Sequence, residues 1–244
     1  MLNITIHDQP DDETCGPTSL HAVYDYYGIK VPLATVIQEV ERLNSGGTLA
    51  PFLGTHALKY DFSATIYINN INVFDPSWFK KDHTPNTDII DKLTLQLQHK
   101  DSISIIESSH AYINYLKSGG AIRFCTIDTN LLKQYFAQQI PIITGLSATY
   151  LYNAPREIYT QTGQALDDDI QGTPCGHFVV LCGYDEKKRH VIVADSHRKN
   201  PISNSNYYKV SVRRLINAIM LGVMTDDGNL IIIQPEKSHA CRQL

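Results

Sequence analysis

Gln9-Pro10-Asp11-Asp12-Glu13-Thr14-Cys15-Gly16-Pro17 joins a polar loop to the start of an apolar-striped segment, and the rest of the chain is read outward from it. Pro17 suits the first turn of a helix, where its missing N–H costs nothing. Leu20, Val23, Tyr24 and Tyr27 then recur at i, i+3, i+4 and i+7, and Gly28 ends the run. Cys15 therefore stands at a helix N-terminus. The unpaired backbone N–H groups and the positive dipole end favour a thiolate there, and thiols so placed titrate well below their usual ~8.5. A structural cysteine that happens to precede a helix fits the same local pattern, because a nucleophile also needs a base.

A base stands near the other end of the chain. Residues 177–184 and 191–195 are two β-rich runs around the polar turn Asp185-Glu-Lys-Lys-Arg-His190, which reads as a hairpin. Closed symmetrically about residue 186, it places His177 opposite Asp195, where cross-strand Cβ atoms lie ~5 Å apart and the carboxylate can accept the imidazole N–H. Thiol, imidazole and carboxylate then form a nucleophile, base and orienter set. Gln9, six residues before Cys15, can present its amide NH2 to a tetrahedral oxyanion, with the Cys15 backbone N–H as the second donor.

These residues carry a resemblance. Gln9-x5-Cys15-Gly16-Pro17, followed far downstream by Gly176-His177-Phe178-Val179-Val180, Gly183-Tyr184 and Asp195, resembles the bacteriocin-processing, double-glycine-leader cysteine peptidases and their stand-alone relatives in the papain-like superfamily. The likeness covers about residues 1–60 and 140–235. It implies an α+β papain-like fold, with an N-terminal catalytic helix packed on an antiparallel β-sheet. It also implies Cys15 as nucleophile, His177 as base, Asp195 as orienter and Gln9 as oxyanion donor. Two features depart from the family. Ser196-His197 follows Asp195 where proline is usual, and no transporter portion accompanies the peptidase, so double-glycine cleavage is not carried over.

The function expected is a cysteine peptidase or amidase that works on a peptide or protein through a thioester. The same site also suits an acyltransferase of transpeptidase or transglutaminase type, or a deamidating effector, and an inactive peptide-binding module is the reading from another class. Net charge −4 and pI near 6.2 provide no electrostatic footprint for nucleic acid or an anionic membrane. No apolar stretch approaches the ~20 residues of a membrane span, and Met1–Asp8 lacks the features of a signal peptide. Five irregularly spaced cysteines make no disulfide framework. Together these point to a cytoplasmic protein, or to an effector secreted without such a signal. Oligomeric state is not legible.

At 244 residues, 43% hydrophobic and 19% charged, the chain suits a single domain over 1–244, with a helical and loop insertion at about 61–120. Further helices are expected at 31–43, 48–60, 88–99, 105–116, 130–138 and 211–221. Strands are expected at 63–68, 121–126, 141–152, 177–184, 191–195, 207–212 and 229–234, and 73–86 reads as a loop or lid. The polar stretch 153–174, with Asp167-Asp168-Asp169, belongs beside the site; the triplet is read as solvated, with no catalytic role. Cys175, His177, Cys182 and His190 lack zinc-ligand spacing, and in a strand Cys182 faces away from His177. No metal or cofactor is expected. His21 is turned away from Cys15 on its helix, and His197 can reach the rim.

Overall fold

The computed structural model describes residues 1–43, 46–160 and 165–236. Three helices come first, α1 (Cys15–Tyr26), α2 (Leu33–Glu39) and α3 (Ala50–Lys59). They are followed by β1 (Phe62–Ile68), α4 (Ile89–Gln96), α5 (Ile103–Lys117), β2 (Ala121–Phe124) and α6 (Thr129–Ala137). Then come β3 (Ile142–Ser147), α7 (Ala148–Tyr152), the short antiparallel pair β4 (Glu157–Tyr159) and β5 (Ala165–Asp167), and β6 (Gly176–Asp185). The chain continues through β7 (His190–Ala194), β8 (Tyr207–Ser211), α8 (Val212–Leu221) and β9 (Asn229–Pro235). Seven strands form one sheet in the order β2-β1-β9-β3-β6-β7-β8, and only the β1–β2 edge pairing is parallel. This is the mixed α+β architecture expected.

The period-2 alternation of β6 sorts the core into two layers. Phe178, Val180 and Cys182 join Leu20, Val23 and Tyr24 of α1 and Leu53 of α3 on one face. Val179 and Leu181 join Leu132 of α6 and Leu215 and Ile219 of α8 on the other. Helix α1 is buried from Gly16 to Tyr24, more completely than a one-sided apolar stripe implies, because α2, α3 and β6 enclose it. No helix of the described residues is long and apolar enough to cross a membrane.

Three expectations are corrected. The helix expected at 31–43 is shorter: it follows Pro32 and stops at Glu39, where Val40 turns extended (φ −70°, ψ 124°) to bury its side chain. Ser45-Gly46-Gly47 reads in the sequence as the stop of that helix, and Ser45 lies outside the described residues. The strand expected at 141–152 is cut at Ser147, whose hydroxyl accepts from Tyr150 N–H at 3.3 Å and caps α7. The hairpin closes further along than residue 186. Val180 opposes Ala194 and a bulge lies between Leu181 and Gly183, so the register aligns Asp195 with Val179 rather than with His177.

Residues 61–120 are built into the main sheet through β1, which pairs with β9, and α5, which packs on α3. The segment 73–86 holds a short 3-10 turn at Pro76–Trp78. It is pinned inward by Phe74, fully buried, whose ring meets Tyr112 edge-on at 4.8 Å.

Candidate active site

Cys15 is the first residue of α1, and no side chain caps that end. Its N-terminal N–H groups therefore keep their capacity for an anion. Gly16 lets the helix start sit close to the sheet, since a Cβ there would lie 2.3 Å from Thr48 Cγ2 and 3.3 Å from Phe178 Cδ2. Ser19 Oγ donates to the Phe178 carbonyl at 3.2 Å and ties α1 to the beginning of β6. Cys15 is half-buried and free, close to the end of the strand that carries His177.

His177 and Asp195 hang from the sheet face opposite α1, by the same alternation that places Val179, Val191 and Val193 there. The two faces meet at the strand end, where Cys15 interacts with His177. His177 Nε2 lies 2.8 Å from Asp195 Oδ1, a diagonal contact two residues off direct opposition. Direct opposition was not needed, because a shift of two residues keeps a side chain on its face.

Asp195 is fully buried and accepts four hydrogen bonds. Oδ1 takes the His177 ring and the His197 backbone N–H, both at 2.8 Å. Oδ2 takes the hydroxyls of Tyr152 at 2.6 Å and Tyr208 at 2.8 Å. Burial alone would raise its pKa. The His177 charge and hydrogen bond, with Tyr152 and the His197 N–H, outweigh burial and hold the carboxyl below its usual value. His177 is pushed down by burial, yet Asp195 and Cys15 drive it well above the usual histidine range. Cys15 shows the mirror pattern: burial raises it, but the charge and hydrogen bond of His177 and the Phe178 backbone bring it below an ordinary thiol.

Gln9 is held by both ends of its amide. Nε2 donates to the Asp11 carbonyl at 2.8 Å, and Oε1 accepts from Ser196 Oγ at 2.8 Å. Its backbone N–H donates to the Ser196 carbonyl at 3.1 Å. Ser196 and Asp11 together set the amide's orientation.

The polar stretch 153–174 does come beside the site, since Glu157 and Tyr159 act on Cys175, which also feels Cys15. Within the acidic triplet, Asp168 Oδ1 accepts from the N–H groups of Ile170 and Gln171, so it organises a turn. Cys182 is bonded through Sγ to the Ile192 carbonyl, and His190 to the Lys188 carbonyl, so neither joins His177. His197 reaches the site, its ring T-shaped to that of His177 with centroids 6.4 Å apart.

Sequence reasoning missed three residues. Tyr152 was read as part of a strand and Tyr208 as an ordinary one. Asp227 was not noticed, and its only sequence signal is an Asp226-Asp227-Gly228 turn. It is 5% exposed and wedged between Gly145 and Gly176, where a Cβ would come within 2.6 Å and 2.7 Å of its carboxyl oxygens. Oδ1 has no partner. Burial first, then the negative charges of Cys15 and Asp226, push its pKa well above the carboxylate range, against the opposing charge of His177.

A sequence profile described as the Peptidase_C39 like family matches residues 1–216. The chain belongs to that family. It is accordingly a cysteine peptidase-like hydrolase. Solved structures similar to this C39-like peptidase include a protein of Bacillus anthracis described as a C39-like peptidase, at 16% identity over 96% of each chain, TM-score 0.49. Another is a double glycine motif protease from an AMS/PCAT transporter in complex with the leader peptide, at 14% identity over 96% of this chain and 93% of that one, TM-score 0.42. Xylellain, a cysteine protease from Xylella fastidiosa, is similar at 15% identity over 97% and 85%, TM-score 0.43. No curated protein sequence matches the chain at a significant level.

Proposed function

We propose that this C39-like peptidase hydrolyses a peptide amide bond through Cys15. His177 acts as acid and base, Asp195 orients His177, and Gln9 with the Cys15 backbone N–H holds the oxyanion. The observation that carries the reading is the mutual shift of Cys15 and His177 toward a thiolate–imidazolium pair, with Asp195 gripping His177 Nε2. With Nε2 occupied, Nδ1 is the nitrogen left to face the thiol.

The thiolate attacks the carbonyl carbon, and the electron pair moves to oxygen, where the two donors receive it. The imidazolium passes its proton to the leaving nitrogen as the C–N bond breaks, which leaves a thioester on Cys15. Neutral His177 then takes a proton from water, the hydroxide adds to the thioester, and the acid departs as the thiolate is restored. Cys15, Cys125, Cys175 and Cys182 are free thiols, which suits a reducing compartment such as the cytoplasm.

The pair is tested by iodoacetamide alkylation of Cys15 against pH, followed by peptide mass spectrometry. In the wild type the rate should plateau well below pH ~8.5, the midpoint of an ordinary thiol. In His177→Ala the groups that lower the Cys15 pKa are largely gone while burial remains, so the midpoint should move above that value. Cys125 and Cys175 are raised, and Cys182 is pushed up to about 12, so they should stay unlabelled at neutral pH. Matching profiles in both proteins would refute the reading.

Ser196→Ala tests the oxyanion assignment. Loss of a hydrogen bond worth ~1 kcal/mol should free the Gln9 amide and lower kcat by about 3–10-fold with KM little changed, whereas Gln9→Ala should cost about 100-fold. Both are read on the best peptide from a library. An unchanged kcat in Gln9→Ala removes Gln9 from the oxyanion site.

A further inference from the structure

Away from the thiol, three potential metal ligands converge where the N-terminal strap crosses α1. His21 and Asp25 are four residues apart and so share one face of α1. His7 lies on the strap two residues before Gln9. One ligand atom from each of the three lies within 4.8 Å of the others, the only such group of three or more among the described residues. The His7 and His21 ring centroids are 5.4 Å apart.

A second observation points to a ligand. His21 is 6% exposed, and its Nδ1 has no hydrogen-bond partner. A buried nitrogen left in that state is costly, and a bound cation would satisfy it. A cleft of about 540 Å³, lined by Ile6, His7, Asp8, His21 and Leu33, leads to the group. Asp25 is paired with Lys30 at 2.9 Å, but the lysine side chain is 78% exposed and free to swing into water.

We propose that His7, His21 and Asp25 form a site for a divalent transition-metal ion of the zinc type, with water as the fourth ligand, that clamps the N-terminal strap to α1. Two imidazoles and a carboxylate favour zinc over magnesium or calcium, which prefer all-oxygen shells. Elsewhere the strap is held by Tyr207, whose hydroxyl donates to the Ile4 carbonyl at 3.0 Å and accepts from Ile6 N–H at 3.1 Å, and by backbone bonds at Leu2 and Gln9. A metal at His7 would fix the end of the strap that leads to Gln9 against the helix that begins with Cys15. The site is independent of the chemistry assigned to Cys15.

The test is isothermal titration of Zn2+ into the full chain, stripped of metal and carrying Cys15→Ala so that the thiol cannot bind zinc. One zinc per chain with micromolar or tighter affinity is expected. His7→Ala and Asp25→Asn in the same background should each weaken it at least about tenfold, whereas His110→Ala, an exposed histidine elsewhere, should leave it unchanged. His7 is exposed, so its loss should not unfold the protein, and circular dichroism checks this. Zinc should also raise Tm in the parent and not in His7→Ala, as expected of a ligand that binds only the folded chain. Absence of one-to-one binding, or binding that survives both His7→Ala and Asp25→Asn, would overturn the proposal.

Discussion

Asp195→Ala is expected to lower peptide turnover by about 10²–10⁴-fold and to destabilise the fold by about 3–5 kcal/mol. Both effects follow from one fully buried carboxylate that accepts from His177, the His197 N–H, Tyr152 and Tyr208. Its removal leaves two buried hydroxyls and an imidazolium unpaired. Asp195→Asn keeps the volume but brings an NH2 group among donors, so it should lose nearly as much activity and less stability. The pH dependence of the stability difference has a definite sign. A carboxyl held below 3.8 stabilises above its unfolded pKa, and that contribution is lost as pH falls through the folded value. An imidazole held above 6.5 stabilises fully below its unfolded pKa, and that contribution is lost as pH rises through the folded value. The Tm gap between wild type and Asp195→Ala should therefore be widest between about pH 4 and 6.5 and narrow on both sides. A flat gap, or an unshifted Cys15 alkylation profile in Asp195→Ala, would contradict the role assigned to Asp195.

That Cys15, His177 and Asp195 come together was legible because each has a local signature. A cysteine before an amphipathic run with proline in its first turn is placed by helix geometry alone, and His177 and Asp195 needed only to share a face. That parity survived a wrong register, since the turn at Glu186–Arg189 and the bulge after Leu181 moved the pairing by an even number of residues. The tyrosines that complete the carboxylate's shell were not legible, because Tyr152 is aimed by a one-turn helix that Ser147 starts inside an apolar run. Nor was Asp227, whose burial against Gly145 and Gly176 comes from three separate segments brought together by the fold. His21 and Asp25 show the i, i+4 spacing of a ligand pair, but His7 joins them only through the path of the strap, whose alternation of buried Leu2, Ile4 and Ile6 does not say which helix it crosses.

The opposite edge of the sheet yields the second large effect. Tyr115→Ala should cost about 3–5 kcal/mol in urea denaturation, as expected when a fully buried aromatic ring is removed. The ring fills a slot made by two glycines, since a Cβ at Gly54 or Gly120 would come within 2.5 Å or 2.2 Å of it. The hydroxyl reaches the Ala64 carbonyl at 2.7 Å and the Ala121 carbonyl at 3.0 Å, and it accepts from Ala121 N–H at 3.2 Å. One side chain of α5 thus ties β1 to the start of β2, the only parallel pairing in the sheet. Tyr115→Phe keeps the ring and drops the hydroxyl, so it should cost about 1–3 kcal/mol for the backbone groups left unpaired. The strain reaches the site only through the sheet, since β1 pairs with β9, β9 with β3, and β3 with the β6 strand that carries His177. Below the unfolding transition, Tyr115→Ala should therefore keep the wild-type pH profile of Cys15 alkylation while its urea midpoint falls. A loss under 1 kcal/mol would mean that residues 61–120 are supported by contacts other than Tyr115. A shifted alkylation profile in the folded protein would mean that this edge of the sheet also sets the electrostatics of the thiol.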